Sequence, residues 1–241
     1  FVMVTKKYIY MVVELENGGM DNMMNPLTEW LARSPSHTLH GIFPNPVYIV
    51  NRSLQLSLEE DKDIEDIIKG GFKPGPENSS SIDSYIFDSK LKKIKQFCEQ
   101  QIKIYVEKVI DPKDELEIYI TQSWLNLTKP SESHHEHFHS NSIISGVFYI
   151  SVEEDDKIMF VDPNGKTKNL IKIESKEFNT WNSTLWYFPV HTNELVLFPS
   201  WLTHLVEPNK KATKDRISIS FNTFVRGNLG KKHSSTELIL K

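Results

Sequence analysis

Apolar and polar positions along this chain follow two different periods, and the change from one to the other organises the reading. Residues 58–69 (LEEDKDIEDIIK) set Leu58, Ile64, Ile67 and Ile68 among acids, and Gly70-Gly71 follows as a stop, which predicts a short surface helix. Lys73 to Ser81 is rich in Pro, Gly and Ser and reads as a loop. From Ser89 to about Val109 the residues Leu91, Ile94, Cys98, Ile102, Tyr105 and Val109 recur at steps of three and four. That spacing predicts one amphipathic helix with a Lys-rich outer side, ended by Asp111-Pro112.

After Pro112 the period becomes two. Leu116, Ile118, Ile120 and Trp124 alternate with Glu117, Tyr119 and Thr121, a strand that places Asn126 on the face of Trp124. Further strands are predicted at 143–151, 157–161, 168–173, 194–198 and 215–225, separated by turn signals such as Asp162-Pro163-Asn164-Gly165. Helices come first and at least six strands follow. A parallel sheet would need helices between its strands, so the order implies a mainly β fold, an antiparallel sandwich or jelly roll with helices on one outer face.

Composition narrows the class. No Gly/Ser linker divides the chain near its middle, and a single β domain commonly takes this length. Phe1 stands where a methionine would open a reading frame, and Met24 opens a smoother run. Residues 1–23 therefore read as an N-terminal extension that need not be native, with an added strand at Lys7 to Leu15 if ordered. Residues 24–241 read as one domain, with helical support over 58–110 and a β core over 115–226. The apolar run Tyr8–Val13 is far too short to span a bilayer, and Cys98 alone can build neither a disulfide framework nor a cysteine zinc site. Cys98 reads as a small buried apolar group, and the expectation is a cytoplasmic protein without a membrane partner. A formal net charge of -4 offers no general attraction for nucleic acid.

The histidines change the picture. Four of the nine fall at His134, His135, His137 and His139, where an even spread would put roughly 0.2 in a window of that size. Histidines two apart on an extended segment point to one side, so His137 with His139 could share an ion, as could His135 with His137. His134 with Glu136 is a further pair, and the register is open. Neutral imidazole suits iron, zinc, copper and nickel. His204 is the best candidate for a third ligand, because it follows an apolar strand and the rigid turn Phe198-Pro199-Ser200-Trp201. Twelve residues on, Arg216, Ser218, Ser220 and Asn222 share one side of a strand whose other side carries Ile217, Ile219 and Phe221. Such a polar face is either solvated or lines a wet cavity. In the second case Arg216 would be a planar fork for a carboxylate. Trp181, Trp186 and Trp201 read as core or rim residues, with Trp186 and Tyr187 near the opening.

The ordered set SWLN (123–126), HFHSNSIISGVFYI (137–150), LVLFPSWLTHLVEPN (195–209) and DRISISFN (215–222) resembles the iron(II)/2-oxoglutarate-dependent oxygenase superfamily, in its prolyl-hydroxylase-like branch of microbial and phage proteins. The resemblance spans roughly residues 40–226. It implies a double-stranded β-helix, or cupin-like jelly roll, holding Fe(II) and using 2-oxoglutarate and dioxygen in a hydroxylation. On the matching motifs His137 is the first metal ligand, His139 stands where the family has a carboxylate, and His204 is the distal histidine. Arg216 matches the residue that pairs with the distal carboxylate of 2-oxoglutarate, while Ser218, Tyr149 and Asn126 match cosubstrate-cavity residues, with Trp124 beside them. Neutral His139 leaves the site one negative charge short of the family pattern, so Glu136 or Asn141 stays open as an oxygen donor. The competing reading is a cupin-like metal protein of other activity, an isomerase or a binding module, which has no need of the late arginine. The primary substrate, a protein residue or a metabolite, is left open, as is the oligomeric state, homodimer included.

Overall fold

The computed structural model describes residues Val4–Thr5, Tyr8–Ile9, 41–75, 77–165 and 171–241. The chain divides into two compact units, Phe1–Phe43 and Pro44–Lys241. In the first, β1 (Val4–Thr5) pairs antiparallel with β2 (Tyr8–Ile9). Only its Tyr8–Ile9 part of the Lys7 to Leu15 strand can be described; residues 10–15 and Met24 lie outside the described residues.

The second unit is a double-stranded β-helix faced by helices. Its elements run β3 (Tyr48–Asn51), α1 (Leu58–Lys69), β4 (Phe72–Pro74), β5 (Ser79–Ser81), α2 (Ile86–Ser89), α3 (Lys92–Tyr105), β6 (Leu116–Thr128), β7 (His134–His137), β8 (Ile144–Ser151), β9 (Lys157–Val161), β10 (Leu185–Pro189), β11 (Glu194–Pro199), β12 (His204–Val206), β13 (Arg216–Leu229) and β14 (Leu238–Leu240). The major sheet has the order β3-β11-β8-β13-β6-β5-β4 with β14 beside β13; the minor sheet has the order β10-β9-β12-β7. Neighbouring strands of both sheets pair antiparallel.

Strand alternation sends side chains into two separate cores. Ile144, Phe148, Leu195, Leu197, Ile219 and Phe221 leave the major sheet on the helix side, against Ile64, Ile86, Leu91, Ile94, Cys98 and Ile102. Val147, Tyr149, Val196 and Phe198 leave on the other side and meet Ile158, Phe160 and Leu202 between the sheets. Gly146 is needed on the helix side, because a Cβ there would stand 2.1 Å from Cζ of Phe221.

Local chemistry explains where the elements begin and stop. In α1 the Ser57 hydroxyl accepts the Glu60 amide while the Glu60 carboxylate accepts the Ser57 amide, a capping box, and Glu60 also pairs with buried Arg52 at 2.8 Å. The helix expected from Ser89 to about Val109 is present but starts only at Lys92. Leu91 adopts a left-handed conformation (φ 57) and donates its amide to Asp63 Oδ2, so α2 ends and α3 starts afresh at Lys92. A π turn over Val106–Ile110 then shifts the buried stripe, so that Val106 is buried and Val109 is 43% exposed. Cys98 is fully buried in the helix-side core, and its thiol is pushed well above the ordinary range by that burial.

Three other expectations are corrected. Lys73 to Ser81 is not all loop, since β4 and β5 form a hairpin on the free edge of β6, where backbone groups of Ser79 and Ser80 find partners in Leu127 and Asn126. The segment 168–173 forms no strand over residues 171–173, both edges of β9 being taken by β10 and β12, while residues 168–170 lie outside the described residues. Finally, the pairing of β6 with β13 slips by one residue at Thr121. Ile118 and Ile120 pack on the helix side, yet beyond the slip it is Leu125 that does so, and Trp124 turns with Asn126 to the interior between the sheets. Among the described residues no helix is long and apolar enough to cross a membrane.

Candidate functional site

Two sets of polar side chains meet between the sheets, one on the minor sheet and one on the major. The first centres on β12 and the end of β7. His204 is paired in register with His137, and the amide of His139, two residues past β7's end register, donates to the Ser200 carbonyl at 2.9 Å. The result is that one ring nitrogen from each of His137, His139 and His204 lies within 4.8 Å of the others. Backbone carbonyls orient two of the rings. His137 Nδ1 lies 2.7 Å from the His135 carbonyl and His204 Nδ1 lies 3.1 Å from the Leu202 carbonyl, so each Nδ1 carries the proton and each Nε2 is left with its lone pair.

Burial keeps these imidazoles neutral. His204 is held well below the ordinary histidine range by desolvation, with His137 and His139 adding to the effect. His139 is lowered to about 4 by burial and then by His137; His137 is lowered by burial against the opposing pull of the His135 carbonyl. Three neutral nitrogens at this spacing fit a divalent ion of the iron or zinc type. Apolar and aromatic walls enclose them: Phe198 lies 4.6 Å from His204, and Trp124 lies 6.0 Å from His139, ring centre to ring centre.

The cluster 134–139 divides differently from simple alternation. Three residues of β12, His204 to Val206, span four residues of β7, His137 to His134, so β7 carries a bulge. The bulge turns His134, not His135, to the side of His137, and the two rings stack at 4.3 Å. His135 and Glu136 are exposed, as is Asn141, and Glu136 is not part of the metal-competent group.

The second set lies on the major sheet. Ser218 on β13 is in register with Asn126 on β6 and with Tyr149 on β8, so the three stand in one row across three strands. The polar face of β13 is therefore a buried lining: Arg216, Ser218 and Ser220 are all buried. Arg216 sits 5.2 Å over the Tyr149 ring, and its NH1 reaches the Lys157 carbonyl at a long 3.4 Å. Among the described residues no carboxylate pairs with its guanidinium. The Tyr149 hydroxyl is fully buried with no hydrogen-bond partner of acceptable geometry, and burial raises its pKa although Arg216 pulls the other way. A buried cation without an acid beside an orphaned phenol fits an anionic ligand, since either group alone costs free energy to bury. Asn126 is partly committed, its Oδ1 to Trp124 Nε1 at 3.1 Å and its Nδ2 to Ser220 at 2.8 Å. A separate cavity of ≈ 820 Å³, lined by the segments around Glu153, Tyr187 and Asn209, contains none of these groups.

The sequence reading missed the backbone carbonyls of His135, Ser200 and Leu202, the buried hydroxyls of Ser145 and Ser200 and the half-buried hydroxyl of Ser142. Carbonyls leave no trace in a sequence. The serines had one, in that Ser145 sits in the otherwise apolar strand 143–151 and Ser200 in an apolar turn.

Residues 122–222 match the sequence model of a family described as "Putative 2OG-Fe(II) oxygenase". No curated protein sequence matches significantly. Among solved structures, the chain is similar to a 2OG-Fe(II) oxygenase family oxidoreductase from Burkholderia pseudomallei, at 10% identity and TM-score 0.50 over 73% of this chain and 83% of that one. It is similar to a Trichoplax adhaerens prolyl hydroxylase solved with a hypoxia inducible factor peptide fragment, at 14% identity and TM-score 0.51 over 75% and 84%. A third similar structure is the non-heme alpha ketoglutarate dependent carbocyclase SnoK from nogalamycin biosynthesis, at 12% identity and TM-score 0.52 over 74% and 80%. At these identities the structural likeness carries the fold, the double-stranded β-helix.

Proposed function

We propose, from the match of residues 122–222 to the 2OG-Fe(II) oxygenase family, a hydroxylase in which His137, His139 and His204 hold iron(II) while Arg216 binds the distal carboxylate of 2-oxoglutarate. The observation that carries the cosubstrate half is Arg216 itself, buried, without an ion-pair partner among the described residues, and on the face of the sheet that meets the histidines. A guanidinium fork supplies two parallel N–H donors to one carboxylate, which is the geometry a five-carbon diacid needs at its far end. Ser218 and the unpartnered Tyr149 hydroxyl offer further hydrogen bonds along the same row, and Asn126 borders it. Iron(II) with 2-oxoglutarate and dioxygen, when bound, supplies the oxidising chemistry, in which the keto acid becomes succinate and carbon dioxide as a substrate C–H bond is hydroxylated.

The chain's own contribution is ligation, orientation and exclusion of water. The carbonyls of His135 and Leu202 fix the tautomers of two ligands, Trp124 and Phe198 wall the site, and the depressed imidazole pKa values keep protons from competing for the ligand nitrogens. The choice of hydroxylation over other oxidative outcomes is supported by the motif resemblance to the prolyl-hydroxylase-like branch. The test is succinate formation from 2-oxoglutarate under aerobic iron(II). Wild type is expected to turn over, with His204→Ala inactive; wild-type protein that forms no iron-dependent succinate sinks the proposal.

A further inference from the structure

The ligands His139 and His204 both lean on one short turn, Pro199 to Leu202. The Ser200 carbonyl receives the His139 amide at 2.9 Å, and the Leu202 carbonyl receives His204 Nδ1 at 3.1 Å. What holds the turn is not apolar packing alone. Ser200 is fully buried, and its amide donates to the Ile143 carbonyl at 3.0 Å. Its hydroxyl donates to Ser142 Oγ at 2.7 Å and lies 2.8 Å from Ser145 Oγ. A hydroxyl has one proton, so with Ser200's given to Ser142, Ser145 must be the donor in the second bond. The same Ser145 proton is shared with Asn222 Oδ1 at 3.1 Å, a three-centre bond, and Ser142 Oγ accepts the Thr223 amide at 3.1 Å. The chain Asn222–Ser145–Ser200–Ser142–Thr223 thus ties the turn to β8 and β13 of the major sheet.

We propose that Ser200 is a positioning residue for the metal site: its buried hydroxyl fixes the turn whose carbonyls set the separation and ring orientation of His139 and His204. This rests on the metal-binding reading above. The reason a hydroxyl is used is directional. An alanine would fill most of the space but leave the turn free to slide along the sheet, and it would strand hydrogen-bonding capacity on buried Ser145 and half-buried Ser142. Orienting groups of this kind typically control metal affinity by about 10–100-fold when removed.

The experiment titrates metal-free protein with cobalt(II), reading affinity and the visible absorption bands at saturation, for wild type, Ser200→Ala, Ser145→Ala and Ser57→Ala. Ser57 caps α1 and has no contact with the site, so its loss lowers stability without touching the ligands. The expected result is a cobalt affinity weakened about 10–100-fold in Ser200→Ala, with altered bands showing a changed ligand arrangement. Ser145→Ala should show a smaller loss, because Ser142 still holds Ser200, and Ser57→Ala should match wild type. Wild-type affinity and bands in Ser200→Ala, or an equal loss in Ser57→Ala, overturns the positioning role. Should Ser200→Ala fail to fold, wild-type cobalt affinity and bands in Ser145→Ala overturn it. If wild type itself binds no cobalt, the metal-site reading fails and this inference falls with it.

Discussion

Replacing Arg216 by Met separates what this arginine does for a ligand from what it costs the fold. In the ligand-free protein Arg216 keeps a cation–π contact with Tyr149 at 5.2 Å, worth about 0.5–2 kcal/mol, and one long hydrogen bond to the Lys157 carbonyl. Against these stands the desolvation of a buried charge that has no ion-pair partner among the described residues, several kcal/mol after relaxation. The balance is near zero or favours Met, whose length and flexibility fill the same space. Ligand-free Arg216→Met should therefore melt within about 4 °C of wild type or above it, given about 2–4 °C per kcal/mol for a domain of this size. The effect on 2-oxoglutarate is opposite. Breaking a buried bidentate pair costs about 3–5 kcal/mol, a weakening of roughly 10²- to 10³-fold or more. At 100 times the wild-type Kd, 2-oxoglutarate should raise the wild-type Tm by about 5–11 °C and that of the variant by less than about 2 °C. The assay is thermal unfolding under anaerobic iron(II), with and without 2-oxoglutarate, together with calorimetric titration. A ligand-free variant that melts more than about 10 °C lower would show that Arg216 is a structural residue. An unchanged 2-oxoglutarate affinity would refute its assignment as the carboxylate partner.

Gly146→Ala should destabilise the protein by about 1–3 kcal/mol, several degrees in Tm, because its Cβ would meet the Phe221 ring at 2.1 Å; a smaller residue at 221 should restore part of the loss, and an unchanged Tm would contradict the close approach of β8 and β13 on the helix side. Metal-free protein should also lose stability in acid. His139 titrates at about 4 in the folded state against about 6.5 unfolded, so below pH 6.5 the unfolded chain binds a proton the folded one does not. Stability present above pH 6.5 is thus lost as the pH falls toward 4, by about 1.4 kcal/mol per pH unit for one uncoupled imidazole. His134, at about 3, extends the loss further into acid. A Tm that stays flat between pH 7 and 5 would contradict this.

Much of the site was legible in the order of residues because the chemistry chooses residue types. A pair of histidines two apart, a third after a rigid turn and a late arginine on a polar strand face could be read off as a set, and the structure brings His137, His139 and His204 within 4.8 Å. What could not be read was which neighbour of His137 shares its side. Alternation favoured His135, whereas a one-residue bulge in β7 turns His134 there instead, and a bulge is visible only once the partner strand β12 is in place. The same holds at Thr121, where a slip against β13 takes Trp124 off the face that Ile118 and Ile120 share and leaves it with Asn126 between the sheets.

Where the governing forces act between near neighbours, sequence alone was enough. The helix over 58–69 and the strand over 157–161 coincide with α1 and β9, because capping, side-chain periodicity and turn residues act over a few positions. The break at Leu91, the hairpin of β4 and β5, the two bulges and the burial of the polar face of β13 required the folded chain. Each depends on a group far away in sequence: Asp63 for the Leu91 amide, the edge of β6 for Ser79 and Ser80, and the minor sheet that closes over Arg216. Hydrogen bonds between strands and the desolvation of a charge are set by what lies across a gap in space, and periodicity along the chain carries no record of that distance.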